Sequence, residues 1–267
     1  MTEQTTVRGL DALNALFEGA KKEGRSAFLP YFPIGFPTYD DSIAAIEAMA
    51  SVGVDGFEIG VPFSDPLADG ATIQEATQIA LKNGITVRKC LAAVRSLREK
   101  GVQQPMMMMS YVNPLIAYGV NEFVTDAKAA GADGLIIPDL PPEEAVMFAE
   151  ACQRENLALI FFLAPTSNEK RIELVAENAT GFIYVVSLTG ITGARDQLPE
   201  DLTDFIGRIR AKTAIPLVLG FGISTPAHVR QLQGLVDGFI VGSALVRAGK
   251  ESAEKVRHLA QTLRQTM

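Results

Sequence analysis

The sequence predicts a (β/α)8 barrel, and three observations carry that reading. Short runs rich in Val, Ile and Phe alternate with helix-patterned segments along the chain. The runs are almost continuously apolar, as strands of a parallel sheet covered on both faces must be. The 267 residues also suit one barrel domain spanning 1–267, because such barrels take about 250 residues.

Taken in order, the amphipathic segment Leu10–Lys22 predicts an extra helix before the first strand. Strands are expected at Ala27–Phe32, Gly56–Ile59, Pro105–Ser110, Gly134–Ile137, Leu159–Leu163, Phe182–Ser187, Leu217–Gly220 and Gly238–Val241. Between them, Ile43, Ile46, Met49 and Ala50 recur at helical spacing in Ser42–Ser51. Val256, Leu259, Leu263 and Met267 do the same in the last helix. Thr225-Pro226 reads as an N-cap followed by proline at the first helical position, and Asn168 as another cap. A weak repeat supports the alternation: Val52-Gly-Val-Asp-Gly-Phe, Ala130-Gly-Ala-Asp-Gly-Leu and Gly234-Leu-Val-Asp-Gly-Phe share one design. Each ends a helix, turns, and leads through Asp-Gly into a strand. An open doubly wound sheet is the structural alternative, but no G-x-G-x-x-G follows the first strand.

Composition narrows the function. A net charge of −7 argues against nucleic acid as the main partner, because binding a phosphate backbone needs a basic face. A small phosphate stays open, since N–H groups at a helix start bind it without basic residues. Cys90 and Cys152 are isolated and lack metal-ligand spacing, which points to a reducing cytoplasm and no metal. No signal peptide is expected from the polar start, and no apolar run nears the roughly 18 residues that a membrane span takes. His228 and His258 fall in outer-helix patterns and read as packing or surface residues. The chemistry must rest on other side chains.

In a barrel of this kind the catalytic groups sit at the carboxyl ends of the strands and in the loops that follow. Four stretches there are more polar or glycine-rich than packing requires. In Gly56-Phe-Glu-Ile-Gly60, alternation sets Phe57 and Ile59 on one face and Glu58 on the other. With the bulky residues facing the helices, Glu58 points into the barrel, with room left by Gly56 and Gly60. Burial there raises a carboxyl pKa toward neutrality, the range useful for proton transfer. Asp65 and Asp69 follow in the loop, where either could also cap a helix. The second stretch, Ser110-Tyr111-Val-Asn113-Pro114, follows a Met106–Met109 run that reads as pliable core. Tyr111 and Asn113 fall at a pocket rim. In the third, Pro138-Asp139-Leu140-Pro141, Asp139 reads as a turn-holding residue. The fourth combines Gly190-Ile-Thr-Gly193, Gly220-Phe-Gly222 and Gly242-Ser243, after strands six, seven and eight. Glycine admits a ligand close to the backbone, and Gly-Ser opening a short helix after strand eight presents N–H groups to a phosphate.

The stretch Phe57-Glu-Ile-Gly-Val-Pro-Phe-Ser-Asp-Pro-Leu-Ala-Asp-Gly70 closely resembles the signature of the tryptophan synthase α-chain family. The likeness continues through Tyr111-Val-Asn-Pro, Pro138-Asp-Leu-Pro, Tyr184-Val-Val-Ser, Gly190-Ile-Thr-Gly, Gly220-Phe-Gly-Ile-Ser and Gly242-Ser243, covering essentially the whole chain in order. It implies a lyase that splits indole-3-glycerol phosphate into indole and glyceraldehyde 3-phosphate during tryptophan biosynthesis. Glu58 would match the general acid/base, Asp69 the residue holding the indole N–H, and Tyr184 an active-site tyrosine near Glu58. Gly193, Gly222, Gly242 and Ser243 would match the phosphate cradle. Tyr111, Thr192 and Phe221 would line the pocket, with Thr192 helping to orient Asp69. Pro62, Asp65 and Asn113 would face a tryptophan synthase β chain in an α-β-β-α heterotetramer. No cofactor is expected here, pyridoxal phosphate belonging to the β subunit. Pro33, Ile34, Leu188 and the methionine run depart from the family's usual residues.

Three other functions compete with this one. A stand-alone lyase releasing free indole keeps the same chemistry without a partner. A non-catalytic regulatory subunit does not need the intact pair Glu58 and Asp69. A barrel acting on ribulose-phosphate-type substrates would carry Lys or Asp at the end of strand one or three, and Phe28–Phe32 and Met106–Ser110 offer neither.

Overall fold

Eight parallel strands close into a barrel in chain order, each paired with its neighbours and the first with the last. The computed structural model describes residues 7–186, 202–220 and 222–267. The strands are β1 (Ala27–Pro33), β2 (Phe57–Gly60), β3 (Met106–Met109), β4 (Gly134–Ile136), β5 (Ala158–Leu163), β6 (Ile183–Val186), β7 (Leu217–Gly220) and β8 (Gly238–Val241). These agree with the expected runs to within a residue or two at each end. The helix expected before the first strand spans Leu10–Lys22 and buries Leu13, Phe17 and Ala20. Asn168 accepts a hydrogen bond from the Arg171 N–H, and Thr225 accepts one from the His228 N–H, so both expected caps form. A short helix, Ser243–Gly249, follows β8 as expected.

Register decides which side chains share the barrel interior. Tyr31 pairs with Glu58, and Glu58 with Met107, so the three project to the same side. Phe32 lies on the opposite face: its ring stands where a side chain on Gly249 of the outer helix would be. Tyr31, Glu58 and Met107 therefore face inward. The methionine run splits the same way, Met107 and Met109 inward with Glu58 and Gly60, Met106 and Met108 outward with Phe57 and Ile59. All four are buried, as pliable core should be.

The Asp-Gly repeat has a structural cause. Each aspartate precedes a strand and ties it to the start of the strand before. Asp55 accepts from the Phe28 N–H at 2.8 Å, Asp133 from the Met106 N–H at 2.8 Å, and Asp237 from the Leu217 N–H at 2.7 Å. Each also meets an arginine: Arg25 on Asp55, Arg98 on Asp133 and Arg210 on Asp237. Asp133 accepts a further bond from the Gly9 N–H, which fastens the N-terminal helix to the bottom of the barrel. Gly56 fits this arrangement too. A Cβ there would lie 2.9 Å from Leu16 of that helix, so the glycine makes room for helix packing and not, as the sequence suggested, for Glu58. No helix among the described residues is long and apolar enough to cross a membrane.

Candidate active site

Glu58 is 3% exposed, on the inner face of β2, two residues before the strand's carboxyl end. Loss of water, with a further contribution from the negative charge of Asp69, pushes its carboxyl up to about 8. Asp69 lies in the loop that β2 feeds. Burial raises it to about 6, while a hydrogen bond from the Tyr111 hydroxyl pulls the other way. The two carboxyls thus differ. Near pH 7 Glu58 holds its proton and Asp69 has mostly lost it, a division of labour that suits acid/base chemistry.

Of the two expected rim residues, Tyr111 holds the loop. Tyr111 is buried; its hydroxyl accepts from the Ala68 N–H at 3.0 Å and bonds Asp69, and its ring packs 5.3 Å from Phe63. Neither Asp65 nor Asp69 caps a helix: the one that follows, Ala71–Lys82, starts at Gly70 without a side-chain cap. Asp139 accepts from the Val112 N–H at 2.9 Å and so ties the loop after β4 to the one after β3, the turn-holding role expected of it. The Asp65 and Asn113 side chains are exposed, while Pro62 is buried.

Across the barrel, Tyr184 on β6 is buried and stacks on Phe162 with ring centres 4.6 Å apart. Burial and the charges of Glu58 and Asp69 drive its hydroxyl well above the usual value, so the phenol stays protonated. Gly220, at the end of β7, makes room for it, since a Cβ there would lie 2.1 Å from the hydroxyl oxygen. At the start of the helix Ser243–Gly249, Gly242 takes the cap position with no side-chain cap, leaving the first N–H groups without that partner. Gly222 is exposed at φ +80 in the loop after β7, with open space where a side chain would point. Gly193, Thr192 and Phe221, with Leu188, lie outside the described residues.

Two residues that belong in this site were not singled out from the sequence. Tyr31 shares the inner face with Glu58, and Phe162 backs Tyr184. The signal was present in β1: with Phe32 facing the helices, strand alternation turns Tyr31 inward. His228 is buried and accepts from the Ser224 N–H at 3.3 Å, while His258 is exposed on the last helix, so both lie on outer helices as read. No group of three or more His, Cys, Asp or Glu among the described residues is arranged to hold a metal.

Comparison with known proteins gives the family. A family model described as tryptophan synthase alpha chain matches residues 17–267. A tryptophan synthase alpha chain of Roseiflexus sp. is 50% identical over 230 residues, 86% of this chain and 88% of that one. One from Roseiflexus castenholzii is 48% identical over 250 residues, covering 93% and 96%. Among solved structures, Mycobacterium tuberculosis tryptophan synthase superposes with a TM-score of 0.90 at 39% identity, over 95% of this chain and 97% of that chain. Likeness of that length and depth means that the chain belongs to the tryptophan synthase alpha chain family.

Proposed function

We propose that this chain is the lyase of tryptophan synthase: it cleaves indole-3-glycerol phosphate to indole and glyceraldehyde 3-phosphate, with Glu58 moving the protons. The observation that carries the reading is a buried, inward Glu58 with Asp69 in the loop that follows, their carboxyls pushed up to about 8 and about 6. Protonated Glu58 donates to indole C3, which turns the ring into an electron-accepting iminium. Ionised Asp69 accepts from the indole N–H and stabilises the positive charge that appears there. Glu58, now a carboxylate, takes the proton of the carbinol hydroxyl. The bond between C3 and the carbinol carbon then breaks, and its electron pair returns to the ring. Glu58 ends as it began, so no cofactor is needed on this chain. Tyr184 and Tyr111 border the indole; Thr192 and Phe221, which the family resemblance adds to the pocket, lie outside the described residues. The phosphate rests on N–H groups of Gly222, Gly242 and Ser243, together with Gly193.

The partner is a pyridoxal-phosphate-bearing β chain, in an α-β-β-α assembly. It docks on the carboxyl end of the barrel, so that indole passes across without entering bulk water. Large apolar residues are exposed there on the segments after three neighbouring strands: Leu67 at 93% after β2, Ile116 at 55% after β3, and Val146 and Met147 at about 60% after β4. Such a group of apolar side chains on one face supports burial against another protein. Exposed Asp65 and Asn113 flank it, with Pro62 stiffening the loop. Two buried free thiols, Cys90 and Cys152, fit a reducing cytoplasm.

The test is indole release from indole-3-glycerol phosphate, with and without a β chain. Weak activity alone and a clear rise with the partner are expected, the rise being blunted in Asp65→Ala and Asn113→Ala through weaker association. Full activity with no response to any β chain would identify a stand-alone lyase.

A further inference from the structure

Two tyrosines in the barrel treat the neighbouring strand alike. Tyr184 on β6 lays its hydroxyl over Gly220 at the end of β7. Tyr31 on β1 lays its hydroxyl over Gly60 at the end of β2, where a Cβ would come within 2.4 Å of the oxygen. Only Tyr184 has a role in the reading above. Tyr31 is 6% exposed and stands in register with Glu58 on the adjacent strand, facing the same interior. Its hydroxyl hydrogen-bonds none of the described residues. The hydroxyl is not among the fully buried polar atoms that lack a partner, so it is open to solvent and a ligand can reach it. The other edge of the ring reaches Gly242, where a Cβ would touch ring atom Cδ1 at 3.4 Å. Tyr31 therefore spans the distance from the start of the helix Ser243–Gly249 to the strand that carries Glu58.

We propose that the Tyr31 hydroxyl donates a hydrogen bond to the carbinol oxygen of indole-3-glycerol phosphate, the oxygen whose proton Glu58 removes. The proposal rests on the reaction assigned above. With its phosphate at Gly242 and its ring at Asp69, the substrate carries its three-carbon chain over Tyr31. Negative charge grows on the carbinol oxygen as its proton leaves, and a fixed donor at that point lowers the barrier. Burial and the charges of Asp69 and Glu58 hold the phenol well above its usual pKa, so it remains a donor.

Tyr31→Phe removes one oxygen that bonds no described residue, so the variant should fold with an unchanged melting temperature. Its kcat for indole release is expected to fall about 10–100-fold, somewhat less than the loss of a strong oxyanion-hole donor, with KM changed less than about threefold. Affinity for indole-3-propanol phosphate, which lacks both chain hydroxyls, should stay at the parent value. A kcat within twofold of the parent overturns the proposal. So does a rise in KM alone, or an equal loss of affinity for the analogue, which would assign the residue to packing. A parent that releases no indole overturns the assigned reaction together with this proposal, whereas an active Tyr31→Phe overturns this proposal alone.

Discussion

The two ends of the barrel both bury carboxylates, and they treat them in opposite ways. At the amino end, Asp55, Asp133 and Asp237 each accept a strand N–H and meet an arginine. At the carboxyl end, Glu58 and Asp69 have no lysine or arginine partner among the described residues, and each has its pKa raised by burial. A paired carboxylate fastens two strands, and at Asp133 the Arg98 charge opposes the rise that burial causes. Unpaired Glu58 keeps its proton near neutrality and can give it away. Asp133 and Glu58 are both buried, so the difference between these two lies in what faces each carboxylate. That difference separates stability from chemistry in this molecule.

The comparison can be broken most sharply at Glu58. Glu58→Gln keeps shape and burial but loses the transferable proton, and indole release should fall about 10²–10⁴-fold with the fold intact. Activity within a few fold of the parent would remove Glu58 from its role. At the other end, Asp133→Asn leaves Arg98 without its buried partner and weakens the tie to Met106 and Gly9. It should cost about 3–5 kcal/mol of stability, read by denaturant unfolding, while the folded fraction retains its kcat. If instead kcat collapses and stability holds, the division between the two ends is wrong.

A third prediction sets stability against pH. The Glu58 pKa rises from an ordinary 4.5 to about 8 on folding, so the native state holds a proton that the unfolded chain gives up in that window. Stability from this group is present below about pH 4.5 and is lost as the pH rises through about 8. Glu58→Gln carries no ionisable group there, so it should be more stable than the parent at pH 9, by on the order of 2–4 kcal/mol. The gain should vanish toward pH 4.5; one that does not depend on pH would mean that ionisation is not its cause. The smallest effect is expected from Tyr111→Phe. Its hydroxyl bonds Asp69 and favours the ionised form, so its loss should raise the Asp69 pKa further. The acid limb of the pH–activity profile should then move to higher pH. An unmoved limb would detach Tyr111 from Asp69.

The phosphate cradle sharpens the contrast in another way. Gly242→Val places a branched side chain against the Tyr31 ring, where a single Cβ already reaches 3.4 Å. Weaker binding of glycerol phosphate is expected by calorimetry, with little change in melting temperature. Unaltered affinity would move the phosphate elsewhere.

Much of the barrel was legible because its strands are apolar on both faces and its helices on one. Those two periods can be read from residue order alone. Glu58 was legible for the same reason: a charged residue inside a strand pattern, with Phe57 and Ile59 committed to the outer face, has one direction left. The Asp-Gly repeat was visible, but its cause was not, because Arg25, Arg98 and Arg210 meet their aspartates only after the strands align. Tyr31 was not legible in the same way, because a phenol in an apolar run reads as core. Gly56 was assigned to the wrong neighbour, since what it accommodates is Leu16 from a helix that crosses the barrel floor. Residue order by itself thus determined which residues lie in strands, which faces they share and which carboxylate turns inward, since these follow from backbone period. Which partner each buried group meets, and so whether a carboxylate becomes a tie or an acid, was decided only by the tertiary structure. Pairing and desolvation depend on distances between segments far apart in the chain, and closure of the barrel sets those distances.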